Sequence, residues 1–394
     1  MSTRTTQASA AALAAYLSNV GTEPRWADAV AAVSRADFLP DLIWPYDMDS
    51  RTSVAVDRRI DLDRWLQAAF ADVPLTIQWD DGEHEGAEPG QLATSSASMP
   101  SVVTAMLEDA DLHPGMRVLE IGTGTGWSAA LMTQVLGPGA VVSVEIDPTV
   151  AEQAARNLNV AGADVRLVVG DGRDGWAVDA PYDRVIATAG IRSVPAAWIT
   201  QTRPGGLIVA PWGPVYGNGD ALVKLVVAGD GTASGRFVRP LEFMKLRSDR
   251  LVWPNLADRL PAGFPGGLEA SETDVTLPEL TGEKWGPTEF VIGLAVPGCA
   301  RAVLADGDVT SVWFYGLSDE SWATVTFDGE QPVSVYQGGP RRPWDEVESA
   351  LLWWESAGRP ELQRFGLTVS ARGEVPWLDD PANPVPRAAS APVA

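Results

Sequence analysis

Residues 118–127 read VLEIGTGTGW, an apolar run followed by a glycine-rich turn and the first residue of a helical pattern. Val118, Leu119 and Ile121 give the run the character of a short buried strand. Gly122 and Gly124 let the chain turn sharply and let a ligand approach the backbone, and Gly126 falls where the helix begins. A strand, a glycine turn and a helix in that order receive a nucleotide-type ligand at the carboxyl end of a parallel sheet. The spacing is G-x-G-x-G, and Trp127 stands where the dinucleotide fingerprint needs its last glycine, which speaks against a nicotinamide cofactor.

The same texture continues outward. VVSVEID (141–147), VRLVVGD (165–171), DRVIATAG (183–190) and GLIVAPWG (206–213) are near-continuous apolar runs of the kind found in parallel strands buried on both faces. GWSAALMTQVLG (126–137) and PTVAEQAARNLNVAG (148–162) carry helical periodicity and stop at glycine. The spacing predicts an α/β, doubly wound sheet over residues 1–247. Glu145 ends the strand after the glycine turn, where a carboxylate accepts hydrogen bonds from ribose hydroxyls, and Asp171 and Gly172 end the next. Strand ends converge, so these residues and the glycine turn are expected to share one crevice.

From residue 248 the chain breaks into short segments punctuated by Gly, Pro and Asp. Residues 251–380 hold eight of the sixteen tryptophans and 21 acidic against 8 basic side chains. VTSVWFYG (309–316), WATVTFD (322–328) and PVSVYQGG (332–339) read as strands, and RPWDEVESALLWWESAGRP (342–360) as an amphipathic helix. A C-terminal α+β domain over 248–380 follows, then a Pro/Ala tail, 381–394, of disordered composition. Within the domain tryptophan suits a core, and secondarily a peptide-binding surface.

Composition excludes several classes. With 29 basic against 52 acidic side chains, the net charge of −23 opposes a nucleic-acid partner. No run of about 18 apolar residues suggests a membrane span. The N-terminal segment MSTRTTQASAAALAAYL reads as the start of a surface helix rather than a signal peptide, and the chain as cytoplasmic. One cysteine, Cys299, and two separated histidines, His84 and His113, leave no metal site to expect.

Two further stretches are open to more than one reading. WDDGEHEGAEPG (79–90) is a solvated acidic loop or a lid. TSSASMPSVV (94–103) caps the helix that follows it, or supplies a working serine.

The motifs resemble those of the protein-L-isoaspartate O-methyltransferase family. They are VSRADFLP (33–40), DVPLTI (72–77), SMPSVVTAML (98–107), RVLEIGTGTGW (117–127), GDGRDGW (170–176), APYDRVIATAG (180–190), PGGLIVAPWG (204–213) and RFVRPL (236–241). The resemblance covers residues 10–245 and implies a class I methyltransferase, Rossmann-like sheet with S-adenosyl-L-methionine as cofactor. It implies cofactor contacts at Glu120, Gly122, Thr123, Gly124, Glu145, Asp171 and Gly172. The family's active-site serine stands 20 residues before the glycine-turn strand, which is Ser98 here. Met99 replaces the usual Gln, Ser101 the usual aromatic or His, and the acidic stretch has no counterpart.

The implied partner is a peptide, either an isoaspartyl protein or a modified precursor peptide. A carboxylate, ionised at neutral pH, needs no general base to take a methyl group, which agrees with the scarcity of histidine. Ser98 would then orient the carboxylate. The departures at Met99 and Ser101 and the C-terminal domain favour a dedicated enzyme of ribosomally made peptide biosynthesis, forming an aspartimide, over general repair. A small-molecule methyltransferase and a non-catalytic peptide-binding module are the other readings.

Overall fold

A computed structural model describes residues 8–387, apart from residues 256, 257, 262, 267, 330 and 331. The chain divides into two compact units that exchange segments. The first comprises Met1–Ala189, Pro195–Ala210 and Val226–Gly231; the second comprises Gly190–Val194, Pro211–Leu225 and Thr232–Ala394. The change of texture at residue 248 therefore falls inside the second unit.

The first unit begins with helices α1 (Ala10–Asn19) and α2 (Pro24–Ala32). A small antiparallel sheet follows, made of β1 (Leu42–Asp47), β2 (Thr52–Ser53), β3 (Val56–Asp57), β4 (Leu75–Trp79) and β5 (Ala93–Ala97), with α3 (Leu62–Ala69) between β3 and β4. Its order is β2-β1-β4-β5, with β3 also on β1. Ile43, Val56, Trp65, Leu75 and Ala97 form its core. The acidic stretch is the connection of the β4–β5 hairpin. Asp80 holds it closed by accepting the N–H groups of Gln91 (3.0 Å) and Leu92 (2.7 Å), and Trp44 Nε1 donates to Ala87 O (2.8 Å).

After α4 (Pro100–Asp109), the elements β6 (Val118–Ile121), α5 (Trp127–Leu136), β7 (Val141–Glu145), α6 (Pro148–Ala161), β8 (Val165–Val169), β9 (Tyr182–Ala187), α7 (Ala196–Gln201) and β10 (Thr202–Trp212) build the parallel sheet. Parallel pairing gives the order β10-β9-β6-β7-β8. The chain winds outward from β6 in both directions, and right-handed crossovers then put helices on both faces. Helix α6 shows the local logic. Asp147 caps it by accepting from Thr149 and Val150 N–H, Pro148 opens it, and Gly162 ends it in the left-handed conformation (φ +65°). Its buried face is Val150, Ala151, Ala154, Asn157 and Leu158, a helical stripe.

In the second unit, β11 (Asp220–Val227) and β12 (Ala233–Leu241) come first. A second sheet follows, built from β13 (Ser271–Thr273), β14 (Cys299–Asp306), β15 (Val309–Gly316), β16 (Trp322–Phe327) and β17 (Val333–Gly338). Its order is β13-β17-β16-β15-β14. Helices α8 (Leu277–Thr281), α9 (Thr288–Ala295) and α10 (Pro343–Ser356) accompany it, and β18 (Phe365–Ser370) and β19 (Gly373–Leu378) return to pair in the order β19-β18-β12-β11.

Most of the tryptophans here are core. Trp313, Trp322, Trp344, Trp354 and Trp377 are buried, which leaves Trp253 and Trp285 as the large exposed indoles. Residues 381–387 of the expected tail are placed, with Val385 N–H donating to Pro376 O (2.9 Å). The rest of that tail, 388–394, lies outside the described residues. Among the described residues no helix is long and apolar enough to cross a membrane.

Candidate active site

In the first unit, the carboxyl ends of β6, β7, β8 and β9 meet where the winding reverses, between β6 and β9. An open α/β sheet receives its ligand at such a point. Gly122 leaves β6 with φ +95°, and its N–H donates to Val144 O (2.8 Å). A side chain there would put its Cβ 2.9 Å from Thr188 Oγ1, and that hydroxyl donates to Gly122 O (2.5 Å). Gly124 has φ +54°, and a Cβ there would stand 3.4 Å from Ser96 O. Gly122 and Gly124 therefore leave the turn's backbone uncovered at these two positions, and strand β5 runs against it.

Glu145 ends β7 with one oxygen accepting Gly124 N–H (2.9 Å) and the other Asp147 N–H (3.1 Å). These bonds fix the carboxylate beside the turn. Asp171 ends β8 and accepts Arg173 N–H (2.9 Å), closing a single helical turn. Gly172 has a packing reason: a Cβ there would fall 2.3 Å from Ile121 Cγ2, and its carbonyl accepts from Trp198 Nε1 (2.8 Å).

Two expected contact residues turn inward. Glu120 has no exposed surface. Its Oε2 accepts from Ser143 Oγ (2.6 Å), and Ser143 in turn is bonded to Thr123 Oγ1 (2.7 Å). Since the Ser143 proton goes to the carboxylate, Thr123 is the donor in the second bond. Burial pushes the Glu120 carboxyl up to about 7, the Glu145 charge acts in the same direction, and the Ser143 hydroxyl acts against it. Both residues thus shape the turn from behind, and only the Thr123 backbone is available to a ligand.

Ser98 follows β5. It is half-buried, and its hydroxyl makes no hydrogen bond to the described residues. None of the serines caps α4: the N-cap position is Met99, without a side-chain bond, and the orphan N–H of Ser101 goes to Asp72 Oδ1 (2.8 Å), 29 residues away. The capping reading of this stretch is therefore replaced by a cap from Asp72.

The structure adds three residues that the motifs did not single out. Asn157 Nδ2 donates to Thr125 O and Phe38 O (both 3.0 Å), tying α6 to the glycine turn. Thr188 holds the turn from β9. Arg35 is buried beneath Ser98; burial pushes its guanidinium down to about 9, with Asp72 acting the other way, so it stays charged at neutral pH. An amide in the buried stripe of α6 and an arginine inside VSRADFLP were the available signals.

A glycine turn flanked by two strand-end carboxylates fits an adenosine-type ligand that carries ribose hydroxyls and positive charge. The profile described as "Protein-L-isoaspartate(D-aspartate) O-methyltransferase (PCMT)" matches residues 51–250. The chain belongs to this family. A protein-L-isoaspartate O-methyltransferase of Pyrococcus horikoshii is 39% identical over 171 residues, 43% of this chain and 70% of that one. One from Hyperthermus butylicus is 40% identical over 194 residues, 47% of this chain and 74% of the relative. A solved structure titled protein-L-isoaspartate O-methyltransferase aligns over 94% of this chain and all of its own, with a TM-score of 0.53 and 24% identity, a likeness of fold. The protein is a methyltransferase, and its cofactor is S-adenosyl-L-methionine. Glu145 and Asp171 would hold its polar groups and the glycine turn its adenosine side.

Proposed function

We propose that the protein methylates the free carboxylate of isoaspartyl residues in peptides or proteins. The observation that carries this reading is the Ser98 hydroxyl, unpaired among the described residues, directly after a strand whose Ser96 carbonyl packs against Gly124. When bound, the cofactor supplies an electrophilic methyl group on a sulfonium. The carboxylate needs only to be oriented in line with that methyl and partly freed of water. Ser98 donates its O–H to one carboxylate oxygen and leaves the other to attack. No proton has to move, so neither histidine nor the single cysteine is needed. Cys299 is buried, and burial pushes its thiol up to about 12.

The ester so formed sets up the next step without the enzyme. The following backbone nitrogen attacks the ester carbonyl, methanol leaves with the nitrogen's proton, and a succinimide closes. Hydrolysis of that ring returns a mixture of aspartyl and isoaspartyl chains, which is the logic of repair.

The relatives' names favour general repair over a dedicated peptide-modifying pathway, and the fold likeness spanning 94% of the chain means that the second unit alone does not set this protein apart. The dedicated reading keeps one specific support: Met99 and Ser101 flank the first turn of α4, beside Ser98, where an incoming peptide would lie.

The test uses one peptide in two isomers, isoaspartyl and aspartyl, each incubated with S-adenosyl-L-methionine and followed by mass spectrometry. Gain of one methyl by the isoaspartyl isomer, with later loss of methanol, is the expected result. Methylation of neither isomer by an enzyme that binds the cofactor would overturn the repair reading.

A further inference from the structure

Arg35 begins a single helical turn, Arg35–Phe38, and only 1% of its surface is exposed. A cation so deeply buried is costly to strip of water and is tolerated where polar acceptors surround it. Here the acceptors are backbone carbonyls. Nη1 donates to Ala69 O (3.3 Å) and Ala71 O (3.1 Å), and Nη2 donates to Val73 O (3.0 Å), Ala97 O (3.0 Å) and Ser98 O (2.9 Å). Among the described residues no carboxylate bonds it. The nearest, Asp72, is engaged with Ser101 N–H.

The distribution of these five carbonyls matters more than their number. Three belong to the end of α3 and the turn into β4. The other two are the carbonyls on either side of the Ser98 Cα. Fixing both adjacent peptide planes fixes the Cα–Cβ direction of Ser98 and leaves only its χ1 to choose. The guanidinium also lies over the Trp127 ring (5.7 Å to the centroid), and Trp127 Nε1 donates to Val33 O (3.1 Å). Trp127 is the first residue of α5, directly after the glycine turn. Residues 33–35 thus grip the serine segment on one side and the helix of the glycine turn on the other.

We propose that Arg35 is a positioning residue that sets the direction of the Ser98 hydroxyl relative to the glycine turn. This rests on the role of Ser98 argued above. A displacement on the order of 1 Å in a group that orients a reacting atom costs about 100-fold in rate. Arg35→Lys keeps the charge but has a single donor atom, which cannot span carbonyls on both sides of the cluster.

The experiment is a double-mutant cycle on the full chain, reading kcat, peptide KM, cofactor Kd and melting temperature. Arg35→Lys is expected to lower kcat roughly 10- to 100-fold, with peptide KM and cofactor Kd changed by less than about threefold. In a Ser98→Ala background the same change should cost less than about twofold, because the group it positions is gone. An equal loss of kcat in both backgrounds, or a loss of cofactor affinity in step with kcat, overturns the proposal and leaves the role of Ser98 standing. Undiminished turnover in Ser98→Ala alone overturns both. If the lysine chain does not fold, Trp127→Phe takes its place in the cycle, since it removes the indole tie to Val33 and keeps a ring under the guanidinium. Its loss of kcat must likewise vanish without the Ser98 hydroxyl.

Discussion

Ser143 Oγ donates to Glu120 Oε2 at 2.6 Å, and neither residue has any exposed surface. The bond lies behind the glycine turn and holds a carboxyl whose folded pKa is about 7 against an ordinary 4.5. Below pH 4.5 the group is protonated in both the folded and unfolded chains and has no effect on stability. Between pH 4.5 and 7 the unfolded chain releases the proton and the folded one keeps it, so stability falls as pH rises, by roughly 3 kcal/mol in total. Glu120→Gln keeps an oxygen for Ser143 and cannot ionise. Denaturant unfolding from pH 4 to pH 8 should show a shallower decline in the variant; parallel curves would assign the pH dependence to other groups.

Ser98→Ala should lower kcat by roughly 10- to 100-fold, the cost of one hydrogen bond to a charged group. Its hydroxyl has no partner among the described residues, so folding should be untouched and the melting temperature should not move. Cofactor affinity, read by calorimetry, should stay the same. A large loss of cofactor binding would put the hydroxyl on the donor side of the site.

Gly172 and Gly124 should separate packing from binding. A methyl group at Gly172 meets Ile121 Cγ2 at 2.3 Å, so Gly172→Ala should destabilise the first unit by about 1–3 kcal/mol. Gly124→Ala places its methyl in ordinary contact range of Ser96 O, and its left-handed backbone costs about 1 kcal/mol. Its main effect should be on cofactor Kd, because the turn is where the ligand comes close. Thermal melts and cofactor titration of both variants distinguish the two.

A chain ended at residue 247 should not be soluble. Strand β18 pairs with β12 from Ala233↔Val369 to Arg236↔Gly366, and ending the chain there leaves that edge of β12 bare along with Phe237 and Leu241, both buried in the intact protein. Size-exclusion chromatography of the fragment should show aggregate. A monodisperse fragment that binds cofactor would show that the first unit completes itself without those strands.

The parallel sheet was legible because its signals are local. VLEIGTGTGW, VVSVEID and VRLVVGD each carry a strand in their own composition, and Gly137 and Gly162 mark the ends of α5 and α6. What the sequence hid depends on contacts between distant positions. The serine segment looked able to cap its own helix, and the cap comes from Asp72 instead. Thr123 and Glu120 sit in the expected motif, yet their side chains turn away because Ser143, a small polar residue inside an apolar strand, waits behind them. Arg35 was visible inside VSRADFLP, but its role could not be read from local pattern, since its five partners lie 34 to 63 residues away. The return of β18 to β12 is equally non-local, which is why a break in composition did not mark a break in packing.

Neutral carbonyls, rather than a counter-ion, hold the Arg35 guanidinium. Dissolved electrolyte weakens exposed pairs such as Arg59–Asp57 and Arg364–Asp379 by screening, and it has almost nothing to screen at a buried cation held by peptide dipoles. Over the whole chain, meanwhile, salt relieves the self-repulsion of a −23 net charge. The brace under the serine is therefore built from the one kind of polar contact that brine leaves intact.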